Sequence, residues 1–159
     1  MIAAASPAAL AAAVGGSATG DWFTIDQERI QAFADATEDR QWIHLDAQRA
    51  ASGPFGATIA HGYLTLSLLP RLTVGLLAVE GASMFVNYGL DRVRFVQPVV
   101  VGSRVRAVSE LTRVDASPQG YRAALTTTVQ IEGSARPALV AETLVLVVPE
   151  TDSHEAVPA

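Results

Sequence analysis

Between Tyr121 and Glu132 the chain alternates with a period of two. Tyr121, Ala123, Leu125, Thr127, Val129 and Ile131 fall on one side of an extended backbone, and Arg122, Ala124, Thr126, Thr128, Gln130 and Glu132 on the other. Successive side chains of a strand point to opposite faces, so this pattern specifies a strand with one core face and one wet face. β-Branched, alternating stretches predict further strands near 84–88, 90–97, 103–115 and 138–148, parted by turn signals at Gln97-Pro98, Ser117-Pro118 and Gly133 to Pro137. An apolar sheet face needs a cover, and a candidate lies upstream. Tyr63 to Val79 is nearly all apolar, so a helix formed from it would be buried on every side. Pro70 and Gly75 should kink or divide that helix. Helices followed by a run of antiparallel strands make the fold class α+β.

Ahead of these elements, Ile30, Phe33, Ala34 and Thr37 recur at helical spacing and predict a helix over 27–37. Thr24 with Gln27 fits a capping box, with Asp26 as the alternative cap. DWFTI at 21–25 alternates weakly and suits a short strand. The opening Ala-rich segment predicts a short helix at 7–14 and then a flexible connector. It lacks the cationic start of a secretory signal. Pro7, Gly15 and Gly16 interrupt it well short of the roughly 20 residues a membrane span needs. A cytoplasmic protein is expected. With 159 residues, half of them apolar, the chain suits one core. The expected organisation is an N-terminal segment over 1–19, one domain over 20–149 and a polar tail over 150–159.

Composition removes whole classes of chemistry. A net charge of -5 and a pI near 5.1 leave no concentrated positive charge for a nucleic-acid backbone. The chain has no Cys, which excludes disulfides, thiolate ligands and a cysteine nucleophile. All eleven basic residues are Arg, which excludes a lysine Schiff base. No G-x-S-x-G elbow is present. Of the three histidines, His154 lies in the polar tail, so histidine chemistry rests on His44 or His61.

Helical periodicity fades over 38–60, where Gly53, Pro54 and Gly56 punctuate a long loop with at most a helical turn at 46–51. Long ordered loops in compact domains are often functional. Asp39 and His44 stand there five residues apart, a pairing that suits acid–base work and equally suits hydrogen bonding within a loop. His61-Gly62 opens the apolar helix, where unpartnered N–H groups and a residue without a side chain would suit an oxygen gaining negative charge. An ordinary helix start has the same sequence. A metal held by His44, Asp46 and His61 is conceivable in ligand type but lacks any regular ligand spacing.

The run Asp39-Arg40-Gln41-Trp42-Ile43-His44-Leu45-Asp46, then Gly53-Pro54-Phe55-Gly56, then Ile59-Ala60-His61-Gly62, resembles the hydratase motif of MaoC-like (R)-specific enoyl-CoA hydratases. It is most similar to the branch with mycobacterial hydratases and nodulation-protein-N-like proteins, in which Q-W-I-H replaces N-P-I-H. Asn87 to Phe95, NYGLDRVRF, fits the same branch, and the similarity spans roughly residues 20–148. The resemblance implies a single hot-dog fold, a curved antiparallel sheet wrapped around a central apolar helix, normally a homodimer. It implies that Asp39 and His44 match the catalytic pair and Gly62 the oxyanion donor. Gln41, Trp42 and Glu38 depart from the wider family's Asn, Pro and Gly.

The implied reaction is reversible addition of water to a trans-2-enoyl thioester, giving the (R)-3-hydroxyacyl thioester, with CoA as part of the substrate and no separate cofactor or metal. Asp39 is expected as principal base and His44 as water-orienting acid/base. Ala60 and His61 are expected beside the substrate, with His61 also satisfying backbone groups at the helix start. Phe55, between flexible glycines, is expected to cover the acyl chain. Arg92 and Arg94, with Arg104 and Arg106 at the same period-two spacing, are expected toward the phosphates, although solvated outer-face charges would look alike. Rival readings are a hot-dog thioesterase and a non-catalytic acyl-thioester binding protein.

Overall fold

The computed structural model describes residues 1–150, so His154 and the expected tail fall outside it except for Glu150. The chain runs through β1 (Ile2–Ala4), a 3₁₀ turn at Ala8–Ala13, β2 (Ser17–Thr19), β3 (Phe23–Thr24) and α1 (Gln27–Thr37). Three short helices follow, α2 (Trp42–Leu45), α3 (Ala47–Ala51) and α4 (Gly62–Ser67), and then α5 (Leu69–Leu72) and β4 (Leu77–Val79). Four long strands complete it: β5 (Ala82–Phe95), β6 (Arg104–Ser117), β7 (Gly120–Ile131) and β8 (Leu139–Pro149). With the short β2 and β3 they form one six-stranded antiparallel sheet ordered β2-β6-β7-β8-β5, with β3 also on β6. This is the hot-dog arrangement, with Leu64, Leu68, Leu69 and Leu72 of the helical segment in one core with Val105, Leu111, Ala123 and Val129 of the sheet.

The alternation in β7 is realised as read: Ala123, Leu125, Thr127 and Val129 are buried and their neighbours half-exposed. Three expectations are corrected. The apolar run divides at Pro70, as expected, but it does not stay helical to Val79. Pro70 enters the first turn of α5, Gly75 adopts φ 74°, and Leu77–Val79 pairs in parallel with Ile2–Ala4. Nor is it buried all round, since Tyr63 is 69% exposed. The stretch after residue 14, expected as a flexible connector, is instead built into the fold: Ser17–Thr19 pairs with Val108–Glu110, and Ala18 joins the core, as do Ile2 and Leu10 before it. The two strands expected at 84–88 and 90–97 are one bulged edge strand, β5. Among the described residues no helix is long and apolar enough to cross a membrane.

Candidate active site

Helix α1 ends on Glu38, which adopts the left-handed conformation at φ 61° and ψ 12°. It is the one non-glycine residue with positive φ among the described residues. A left-handed residue reverses the chain after a helix, and here it delivers Asp39 beside His61. The next residues, expected as loop, form α2, which places His44 inside the protein with 5% exposure. Trp42 fixes this helix from outside. A Cβ on Gly53 would lie 3.2 Å from its ring, and the Arg49 guanidinium covers it at 4.3 Å from the centroid.

The hydrogen bonds assign both imidazole tautomers. His44 Nδ1 lies 2.7 Å from the Ile59 carbonyl, which can only accept, so Nδ1 carries the proton and Nε2 is the free lone pair of the neutral ring. His61 Nε2 lies 2.9 Å from the Asp39 carbonyl and donates to it by the same argument. Its Nδ1 is buried without a partner. The two rings stack, centroids 3.7 Å apart and planes 23° from parallel, and Phe33 packs on the far side at 5.1 Å. Burial, aided by His61, holds the His44 imidazole below its ordinary 6.5, against the opposing pull of the Ile59 carbonyl and Asp39.

A residue that sequence reading passed over supports this arrangement. Asp26 caps α1 through the Arg29 N–H at 2.9 Å, which frees Gln27 from the capping box. Gln27 Nε2 donates to the His44 carbonyl at 2.8 Å and its Oε1 accepts from Thr58 at 2.6 Å. One amide thus ties α2 to the strand-like segment before α4. The one sequence signal on Gln27, its capping-box match with Thr24, points to helix capping and not to α2.

A cavity of about 320 Å³ opens beside His44, walled by Ala60, Gly62, Thr65, Phe95 and Gln97 among others. Gly62 begins α4, so its N–H has no acceptor within the helix. A Cβ there would meet the Phe95 ring at 3.2 Å. A larger cavity of about 440 Å³ lies further along, between α4–α5 and the β5–β8 edge, lined by Leu66, Leu69, Pro70, Leu90, Leu144 and Val145 with Thr127 and Thr143. The structure therefore brings His44, Ala60 and Gly62 into one cavity wall, and Asp39 lies beside that wall with its carboxylate within 4.8 Å of the His44 and His61 ring nitrogens. His61 stands behind His44, outside the cavity wall. Phe55 is 40% exposed and lines neither cavity. Arg92 pairs with Glu142 at 3.8 Å and Arg94 donates to the Val93 carbonyl. Both lie on the edge strand, on the face opposite Phe95.

The donor atoms of Asp39, His44 and His61 lie within 4.8 Å of one another, a set that would suit a divalent ion by type. Stacked rings, however, carry their in-plane lone pairs side by side, so the two nitrogens do not converge on one point. Asp46, the carboxylate of the metal trio considered from sequence, is spent capping α3 through the Arg49 N–H at 2.9 Å. The geometry favours proton transfer.

Residues 10–132 match the family model of the MaoC like domain. The chain is 56% identical over 142 residues to 3-hydroxyacyl-thioester dehydratase Z of Mycobacterium tuberculosis, covering 88% of this chain and 94% of that protein. It is 47% identical over 132 residues to Nodulation protein N of Rhizobium leguminosarum bv. viciae, covering 80% and 81%. Among solved structures it is similar to an (R)-hydratase from A. caviae involved in PHA biosynthesis, with TM-score 0.70 and 30% identity over 84% of this chain and 96% of that one.

Proposed function

The chain belongs to the MaoC-like dehydratase family and is a hydro-lyase, and from that premise we propose that it adds water reversibly to trans-2-enoyl-CoA thioesters to give (R)-3-hydroxyacyl-CoA. Two observations support this reading: His44, whose Nε2 is free, and Gly62, whose N–H has no acceptor in its helix, wall one cavity, and the Asp39 carboxylate lies within 4.8 Å of a ring nitrogen of His44.

A water molecule held by two acceptors, the carboxylate and Nε2, donates both its hydrogens and presents an oxygen lone pair outward. Neutral His44 is required for this, and its burial keeps it neutral. The thioester carbonyl oxygen accepts the Gly62 N–H, which draws charge from the double bond as water oxygen bonds C3. One such donor is typically worth about 3–4 kcal/mol. Asp39 takes the proton the water loses, and C2 gains one from the pair, so that H and OH are both delivered to the alkene. The thioester supplies its own activation, and no resident cofactor enters.

The acyl chain has room in the larger cavity beyond Leu66. A homodimer belongs to the same reading. β5 is the sheet's edge, and Met84, Phe85, Val86, Tyr88 and Leu90 along it are exposed, an apolar unpaired edge that a second copy would cover. Crotonyl-CoA hydration with chiral analysis of the product tests the proposal: (R)-3-hydroxybutyryl-CoA is expected. Formation of the (S) product, or release of free CoA without hydration, would replace it with another activity on the same fold.

A further inference from the structure

A thioester on a phosphorylated carrier brings negative charge to a protein that is itself acidic, so some arginine must meet it. Four arginines are already ion-paired with carboxylates. Five others lie over aromatic rings. Among the described residues only Arg94 and Arg136 have neither partner. Arg94 turns its guanidinium onto the carbonyl of its own neighbour, Val93, at 2.8 Å, on the strand face away from the Gly62 contact.

Arg136 is placed differently. It stands in the loop between β7 and β8, and its Nη2 donates to the Val96 carbonyl at 3.1 Å. Val96, Gln97 and Ala138 are walls of the His44–Gly62 cavity. Gln97 fastens the same loop, its Nε2 donating to the Arg136 carbonyl at 2.6 Å and to Ser134 Oγ at 2.8 Å. The guanidinium is thus exposed, held at the cavity rim through one N–H, with the rest of its donor fork free. A fork of that kind matches a phosphate bidentately, as a lysine could not.

We propose that Arg136 anchors the phosphate end of the substrate, holding a phosphorylated pantetheine thioester at the rim while its acyl end enters past Gly62. The assignment rests on the hydratase reading above. It predicts a residue whose loss weakens capture without touching the reacting atoms. The Arg136→Gln variant should raise KM for crotonyl-CoA about tenfold, equivalent to about 1.4 kcal/mol, with kcat unchanged. Crotonyl-pantetheine, which has no phosphate, should be turned over by the variant as by the wild type, and this also reports an intact fold. Crotonyl-4′-phosphopantetheine separates the sources of charge: a raised KM there assigns the inner phosphate, and an effect confined to the CoA thioester assigns the nucleotide end. Arg113→Gln, which removes one charge from the Arg113–Asp115 pair, should leave every KM in place. An unchanged KM for the CoA thioester, or an equal rise with the phosphate-free one, overturns the proposal. Should the wild type hydrate none of the three, the hydratase reading fails instead. Calorimetric titration with CoA then decides on Arg136: about tenfold weaker binding by the variant upholds it, and equal affinity overturns it.

Discussion

His61 stacks on His44 at 3.7 Å while its Nε2–H holds the backbone carbonyl of Asp39, so one ring supports both members of the proposed acid–base pair without entering the cavity. It is a positioning residue in this arrangement. His61→Ala should leave the half-buried Asp39 carbonyl without its donor and remove the wall behind His44. A fall in kcat of about tenfold with little change in KM is expected, alongside destabilisation of about 1–3 kcal/mol. Gln places an N–H close to where Nε2 stood, so His61→Gln should recover most of the kcat. Equal kcat in the Ala variant and the wild type would reduce His61 to core packing.

The pair itself is tested directly. Asp39→Asn and His44→Ala should each lower kcat by roughly 10²–10⁴-fold, the scale of a positioned acid or base. Circular dichroism should show the fold retained in both. Near-wild-type turnover in either variant removes that residue from the reaction.

Because His44 ionises below 6.5 in the folded protein, its free lone pair persists into mildly acidic solution. The acid limb of kcat/KM should therefore fall below pH 6.5, and an apparent value above it would contradict the assignment. The sign for stability follows from the same shift. The unfolded chain takes up the His44 proton near 6.5 and the folded chain only at lower pH, so stability present above 6.5 is lost as the pH falls through the folded value. Thermal melts of the wild type and His44→Gln should accordingly converge as the pH drops from 7 toward 5.

Much of this was legible in the sequence, and unevenly so. The β7 alternation named the buried face from Ala123 to Val129, because period two has one physical cause, and its half-buried ends at Tyr121 and Ile131 lie on the same face. Asp39, His44 and Gly62 were marked by a motif, whereas their alignment depends on tertiary contacts that no spacing encodes. Gln27 and Arg136 were missed for that reason: each acts on an element far along the chain, Gln27 on Thr58 and Arg136 on Val96. Arg92 and Arg94 looked better placed because period-two spacing is visible in sequence, but an adjacent Glu142 and an edge position are not. The apolar run misled at its C-terminal end, where pairing with Ile2–Ala4 overrode helical preference.

Glu38 is a departure from the family pattern that the backbone explains. A residue with a Cβ in the left-handed region costs roughly 1–2 kcal/mol, and glycine avoids this but loses about 0.5–1 kcal/mol in unfolded-chain entropy. Glu38→Gly should therefore be neutral or raise Tm by a few degrees, with activity kept. Glu38→Val, with a β-branched side chain at φ 61°, should lower Tm and, through its neighbour Asp39, lower kcat. A more stable Val variant would show that the left-handed turn is not what delivers Asp39.

Gly62 separates a structural from a chemical role most sharply. Its φ is not in the left-handed region, and alanine is favoured over glycine inside a helix by about 1 kcal/mol. On helix energetics alone, Gly62→Ala should stabilise the protein. The added methyl would stand 3.2 Å from Phe95 Cδ1 and Cε1, tight enough that the ring must shift by a few tenths of an ångström. Phe95 lies on the exposed edge strand and can yield, so the cost in stability stays small. The cavity is less forgiving, because Phe95 is one of its walls and the methyl sits beside the N–H that a thioester oxygen must approach. Removing an oxyanion donor outright typically costs about 10²–10³ in kcat, and crowding one should cost on the order of 10–10². The expected signature is therefore an unchanged or higher Tm with strongly reduced turnover. A Gly62→Ala variant with full activity would mean that the α4 amide does not receive the substrate oxygen.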